Sequence, residues 1–413
     1  GVMVTASHNP APDNGYKVYL GGTVVQGDGR GVQIVPPFDA EIAAAIEAAP
    51  PADEVPMNDD LIEAVDPREE YVACASALAS GEASAREDLR IVLTAMHGVG
   101  AAITARVLAE AGFSNVSLVA AQADPDPDFP TVPFPNPEEA GALDMAIEQA
   151  REQGADLIIA VDPDADRCAL AVPDPTSETG WSPLSGDQIG SLLGEFLASR
   201  GMKGSLANSI VSSRLLSRIA RAHGLDHHTT LTGFKWIARA PGLGFGYEEA
   251  IGFCPDPAHV RDKDGIATAV VAASLVAALK AQGCSVWDEL ERLARLHGLH
   301  VSSPLTFRVE QIEQIASGMA RLRAQPPSVL AGSPVVEVSD LLQGYRGLPP
   351  TDGVLVLTEA GDRVIARPSG TEPKLKCYLE VILPVAEGDP LPWEQARERL
   401  NAIKGAFAEI IGL

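Results

Sequence analysis

The sequence predicts an α/β protein whose final part changes to α+β, and three observations predict it. Short continuous apolar runs, Asp156-Leu157-Ile158-Ile159-Ala160-Val161 among them, stand between helical patterns, as strands buried on both faces do. The strand–helix rhythm recurs over the first three-quarters of the chain, which indicates layers around a mostly parallel sheet. The tail alternates apolar and polar residues instead, the signature of half-buried antiparallel strands.

Taken in order, Val2-Met3-Val4 is a short apolar run that ends in a polar turn. Arg90–Thr94 is a β-branched strand, followed by a helix from Ala101 to Ala111 and a strand from Asn115 to Val119. Met145–Gln153 reads as a helix before the buried strand that ends at Val161. Leu206–Val211 begins the same rhythm again, with a helix to about Ala222 and another from near Phe234. Gly265–Ala281 is apolar all round and so reads as a buried helix. Asp124–Pro137 reads as an ordered excursion, and Pro173–Ser185, polar with three prolines, as a linker. In the tail, strands are expected at 335–338, 353–357, 363–366 and 375–383, with helices at 310–323 and 393–407.

The 413 residues are too many for one core, so two to four domains are expected. A net charge of −25 argues against nucleic acid or an anionic membrane as partner. Any anionic substrate must therefore be held by a local cationic pocket. Cys74, Cys168, Cys254, Cys284 and Cys377 form no C-x-x-C pair and read as reduced thiols of a cytoplasmic protein. No stretch approaches the roughly 18–20 apolar residues of a membrane span. The first residues lack a basic region, so no signal peptide is expected. The chain begins without Met, inside what reads as a strand, and the expectation is that it starts within a domain.

Four motifs carry chemistry. Thr5-Ala6-Ser7-His8-Asn9-Pro10 presents a serine in a tight turn at a strand end, where it can serve as nucleophile or phosphate carrier. Asp162-Pro163-Asp164-Ala165-Asp166-Arg167 follows the buried strand. Three carboxylates there repel one another unless a cation intervenes, and a hard divalent ion is the simplest resolution. An EF-hand fails, because Arg167 stands where Gly is needed and Pro173 where Glu is needed. Arg367-Pro368-Ser369-Gly370-Thr371-Glu372-Pro373-Lys374 offers a guanidinium, hydroxyls, backbone N–H groups and an ammonium, which suit phosphate oxygens. Glu248 and Glu249, in a Gly-rich apolar segment, can grip sugar hydroxyls or simply be solvated acids. Lys235 in Thr232-Gly233-Phe234-Lys235-Trp236 belongs either to a helix start or to a substrate loop.

Together these motifs resemble the α-D-phosphohexomutase superfamily, in its order and over essentially the whole chain. Thr5–Pro10 looks like the phosphoserine loop, Asp162–Arg167 the Mg²⁺ loop, Tyr247–Gly252 the sugar loop and Arg367–Lys374 the phosphate loop. The resemblance implies three similar mixed-sheet α/β domains, the first incomplete, plus a C-terminal α+β domain, with the active site in a central cleft. Boundaries are expected at 1–85, 86–185, 186–300 and 301–413. It implies that Ser7 carries a phosphoryl group and that Asp162, Asp164 and Asp166 hold Mg²⁺ with that phosphate. Arg167 would stabilise the phosphoryl in flight, His8 would orient the loop, and Lys17 would act as general base or acid. Glu248, Glu249, Lys235, His259 and Lys263 would bind the sugar phosphate, and Arg367, Ser369, Gly370, Thr371 and Lys374 would clamp the distal phosphate.

The implied reaction interconverts the 1- and 6-phosphates of glucose or mannose, with a sugar 1,6-bisphosphate as intermediate and activator. Ala250 stands where the sugar loop commonly has serine, so the chain looks closer to the branch with phosphopentomutase and glucose-1,6-bisphosphate synthase. Those activities are the alternatives, with an inactive sugar-phosphate-binding fragment as a third. Asp162-x-Asp164 also allows a haloacid-dehalogenase-like phosphatase, and Gly98-Val99-Gly100 a dinucleotide module, although Ile103 replaces its third glycine. Oligomeric state is left open by the sequence.

Overall fold

Apolar segments that the sequence marks as buried strands form the middle of one of the chain's two units. A computed structural model describes residues 1–9, 11–369 and 373–412. The first unit comprises 1–189 with 234–283, the second 190–233 with 284–413.

The first unit opens with an antiparallel pair, β1 (Val2–Val4) and β2 (Tyr16–Val18). Its main sheet contains β3 (Arg90–Thr94), β4 (Asn115–Leu118), β5 (Leu157–Val161), β6 (Cys168–Pro173) and β7 (Trp181–Pro183), in the order β4-β3-β5-β6-β7. β4, β3 and β5 are parallel, while β6 and β7 run antiparallel. Every residue of β5 is buried, as its unbroken apolar run requires. The Gly265–Ala281 helix packs on β5 and β6, and 14 of its 17 residues are buried, so no solvent face needed to be written into it. Asp264 caps it by accepting the Ala267 N–H.

Pro173–Ser185 is not a linker. It is the β6–β7 hairpin, with Trp181 buried against the sheet. Its prolines mislead because Pro173 and Pro183 are the last residues of their strands and Pro175 stands in the turn between them, positions that proline tolerates. The 124–137 excursion is ordered over a small core of Met96, Val132 and Ala142. A second hairpin, Leu243–Glu248 with Gly252–Cys254, was hidden in the sequence by its glycines. Among the described residues of 1–66, by contrast, only Val32 is buried.

The second unit contains an antiparallel sheet of six strands in the order 299–308, 374–383, 363–368, 354–358, 333–340, 329–330. Helices Ile312–Ala324 and Trp393–Ile411 cover one face with Met319, Leu322, Ile403 and Phe407. The Leu299–Arg308 strand is an addition to the sequence reading. As an edge strand it tolerates Pro304, which disguised it. The unit also holds the parallel pair Ser205–Ser209 and His227–Thr230 with the helix Leu215–Ala222. Among the described residues, no single helix is long and apolar enough to cross a membrane.

Candidate active site

β5 delivers the aspartate loop. It ends at Val161, and the chain turns at once, with Ala165 N–H donating to the Asp162 carbonyl (2.8 Å) and Ala165 at φ +59°. Two backbone bonds pin the turn: Val99 N–H to the Pro163 carbonyl (2.9 Å) and Gly265 N–H to the Ala165 carbonyl (3.1 Å). Gly98 and Gly100 are glycine for this reason. A Cβ on Gly98 would lie 2.4 Å from Pro163, and one on Gly100 would lie 2.7 Å from the Ala165 side chain. Those glycines support the aspartate loop rather than a dinucleotide, and His97 is a buried turn residue bonded to Thr131 (2.8 Å).

Asp162 is fully buried and accepts from Arg167 twice, from its backbone N–H (3.0 Å) and its Nε (2.7 Å). Arg167 also reaches Asn136 (3.4 Å), while its Nη2 has no hydrogen-bond partner. Asp166 Oδ2 accepts from Lys17 Nζ (2.6 Å) and Lys263 Nζ (3.1 Å). Burial would push the Asp166 carboxyl up, but Lys263 and Lys17 outweigh it and hold it below the usual carboxylate range. Asp164 Oδ2 accepts from Thr5 Oγ1 (2.8 Å).

The ligand atoms of Asp162, Asp164 and Asp166 lie within 4.8 Å of one another. The second oxygens of Asp164 and Asp166 are buried without a hydrogen-bond partner. Three carboxylates this close, two of them with an orphaned buried oxygen, fit a hard cation and are costly otherwise.

The serine loop is folded onto this cluster by its own polar groups. Thr5 N–H donates to the Gly15 carbonyl (3.0 Å), closing the loop between β1 and β2. A side chain on Gly15 would meet the Thr5 carbonyl at 2.7 Å. Ser7 sits at φ +52°, a left-handed conformation costly for a side-chain-bearing residue. Its N–H donates to Thr5 Oγ1 (2.9 Å), so one threonine hydroxyl both accepts from the serine and donates to Asp164. Ser7 Oγ lies 3.2 Å from His8 Nδ1, and the His8 ring meets Phe134 edge-on.

Glu248 and Glu249 lie where the Leu243–Cys254 hairpin turns, with Ile251 at φ +55°. The Cys168 N–H donates to the Ile251 carbonyl (3.1 Å), and Arg167 bridges Gly252, so this turn is tied to the aspartate loop. Burial pushes the Glu248 carboxyl up to about 7 against the pull of Lys263. Lys263, 3.1 Å from Asp166, has its pKa raised by the charges of Asp166 and Glu248, which outweigh burial.

Ser7, His8, Lys17, the three aspartates, Arg167, Glu248, Glu249 and Lys263 thus belong to one connected set of loops. Lys235, in the short Phe234–Ile237 helix, makes no ion pair among the described residues. His259 is exposed and paired with Asp256 (2.6 Å). Arg367, Ser369 and Lys374 belong to the second unit, at a strand turn closed by Ser369 N–H donating to the Lys374 carbonyl (2.8 Å). Gly370 and Thr371 lie outside the described residues. Sequence reasoning missed Thr5, Asn136 and the Tyr19–Asp262 hydrogen bond (2.6 Å). The only signal for Thr5 was its place two residues before the serine.

Models of four consecutive domains match the chain. They are phosphoglucomutase/phosphomannomutase alpha/beta/alpha domain I at residues 1–52, domain II at 69–176, domain III at 185–295 and the C-terminal domain at 308–408. A Haemophilus influenzae protein named "Probable phosphomannomutase" is 46% identical over 388 residues, covering 92% of this chain and 77% of that one. Human phosphopentomutase is 31% identical, with 99% of this chain and 72% of that one covered. The fold is shared with a Paramecium phosphoglucomutase, the exocytosis-sensitive phosphoprotein parafusin, in its open form (TM-score 0.71, 18% identity, covering 100% of this chain and 78% of that one). With all four domain models matched in order and a close relative aligned along most of its length, the chain belongs to the phosphoglucomutase/phosphomannomutase family.

Proposed function

We propose that this protein is a phosphosugar mutase that moves a phosphoryl group between the 1- and 6-positions of glucose or mannose phosphate by way of Ser7. One observation carries the reading: Thr5 joins the Ser7 backbone to Asp164, which sets the serine loop against a carboxylate cluster with unsatisfied oxygens. Asp162, Asp164 and Asp166 would hold Mg²⁺, which neutralises phosphoryl oxygens when bound.

Ser7 Oγ gives its phosphoryl to the free hydroxyl of the sugar monophosphate and receives the other phosphoryl back after the bisphosphate turns end for end. Lys17, paired with Asp166, takes the proton of the attacking hydroxyl and returns one to Ser7 Oγ as general base and acid, while Arg167, with its free Nη2, supplies positive charge to the group in flight. His8 steadies the loop. Glu248 and Glu249, with Lys263 beside them, bind the sugar hydroxyls, and Lys235 and His259 contribute to substrate capture. Arg367, Ser369, Gly370, Thr371 and Lys374 clamp the non-reacting phosphate, and a sugar 1,6-bisphosphate phosphorylates Ser7 to start the cycle. The same reading divides the chain at residues 85, 185 and 300 and places the enzyme in the cytoplasm.

The test is a coupled mutase assay on glucose 1-, mannose 1- and ribose 1-phosphate with Mg²⁺ and a bisphosphate activator. Turnover of the hexose phosphates is expected, with a loss of roughly 10³-fold or more in Ser7→Ala, since positioning of the carried group is most of the catalysis. The trapped phosphate should sit on Ser7 and resist hydroxylamine, unlike an aspartyl phosphate. Full activity in Ser7→Ala would sink the mechanism. A preference for ribose 1-phosphate would instead follow from Ala250 and make the enzyme a phosphopentomutase.

A further inference from the structure

The second unit carries two cavities that share a wall. One, of about 560 Å³, is lined chiefly by Glu195, Arg218, Arg221, His223, Arg292 and His297. The other, of about 490 Å³, shares Arg218, Leu296 and His297 and adds Arg214 and Arg295. None of these residues has a part in the phosphoryl-transfer scheme. In a chain of net charge −25, such a basic hollow runs against the global field, and solubility does not require it.

The cations fall into two groups. Arg214, Arg292 and Arg295 are committed to Glu380 (2.6 Å), Glu195 (2.6 Å) and Glu291 (2.6 Å). Glu195, buried in the wall, also holds His223 Nε2 at 2.9 Å, so both its oxygens are used. Arg218 and Arg221 are different. They stand one turn apart on the Leu215–Ala222 helix, both exposed, and no hydrogen bond or ion pair occupies either guanidinium among the described residues. Between the two cavities lies Leu296, 61% exposed.

Paired guanidinium forks are the usual means of gripping a phosphate, and both cavities fall within the size of small-molecule sites. We infer that this groove binds a phosphate-bearing small molecule, with its phosphate on Arg218 and Arg221 and any organic part along Leu296. The site is independent of the mutase reading, because it would stand or fall unchanged if Ser7 carried nothing.

The test follows the His223 and His297 ring resonances by NMR while full-length protein is titrated with inorganic pyrophosphate, AMP or citrate, without metal and at constant ionic strength. Saturable shifts with pyrophosphate or AMP are expected, weakened about tenfold or more in the Arg218→Gln/Arg221→Gln double variant, as loss of charge-assisted bonds requires. Both arginines are exposed, so the variant should fold. A response to AMP that also weakens in Leu296→Ser identifies an organic phosphate, and a response to pyrophosphate alone an inorganic one. The inference is overturned if neither phosphate gives a saturable shift, if citrate acts equally well, or if the double variant binds as the parent does.

Discussion

The aspartate loop and the serine loop meet at one point, but they are held there by different forces. The aspartate loop hangs from β5, buried along its whole length between β3, β6 and the Gly265–Ala281 helix. The serine loop belongs to residues 1–66, whose described part buries only Val32. That segment is tied down by polar contacts: Thr5 to Asp164 (2.8 Å), Lys17 to Asp166 (2.6 Å), Tyr19 to Asp262 (2.6 Å) and Arg239 to the Gln33 carbonyl (2.8 Å). Burial fixes one half of the site and hydrogen bonds fix the other. Each net hydrogen bond is worth about 0.5–1.5 kcal/mol, so the serine half should yield first.

The largest expected effect lies in the buried half. Ile159 is fully buried in the middle of β5. Ile159→Ala should cost about 2–5 kcal/mol of unfolding free energy in a urea titration, through lost burial and the cavity left behind. A cost below about 1 kcal/mol would mean that β5 is not a rigid support for the aspartate loop.

The same division decides what could be read from the sequence. β5 and its aspartates were legible because an apolar run cannot end in three carboxylates without something to neutralise them. The Gly265–Ala281 helix was legible because no polar face interrupts it. The Leu243–Cys254 hairpin was not, since Gly244, Gly246 and Gly252 have no side chain to report a strand. The tethers were least legible of all. Thr5 and Asp164 are 159 residues apart, and Tyr19 and Asp262 are 243 apart, so nothing local marks either pair. Gly98 and Gly100 suggested a nucleotide site for the same reason: the loop that needs their missing side chains lies more than sixty residues away.

A middle-sized effect should come from the tether itself. Thr5→Val keeps the shape but can neither accept from the Ser7 N–H nor donate to Asp164. Loss of about 1–2 kcal/mol of transition-state stabilisation is expected, roughly a five- to thirtyfold fall in kcat with little change in KM. Hydrogen exchange at residues 5–9 should quicken while β5 stays protected, and Thr5→Ser should restore most of both. Unchanged kcat would show that the serine loop needs no tie to Asp164.

The smallest effect is expected at Val4, and it probes the comparison from the other side. Val4 opposes Tyr16 across the β1–β2 pair and is 85% exposed, with Tyr16 at 58% and Val2 at 65%. A valine that removes so little surface from water has almost no burial to lose. Val4→Ala should therefore shift stability by less than about 0.5 kcal/mol, mostly through weaker strand propensity. The measurement is the same urea titration used for Ile159→Ala, so the two substitutions compare an aliphatic truncation in each half directly. If Val4→Ala costs about 1 kcal/mol or more, this face of β1 is covered in solution by further protein. The serine loop would then rest on a core of its own, and its polar tethers would be secondary to it.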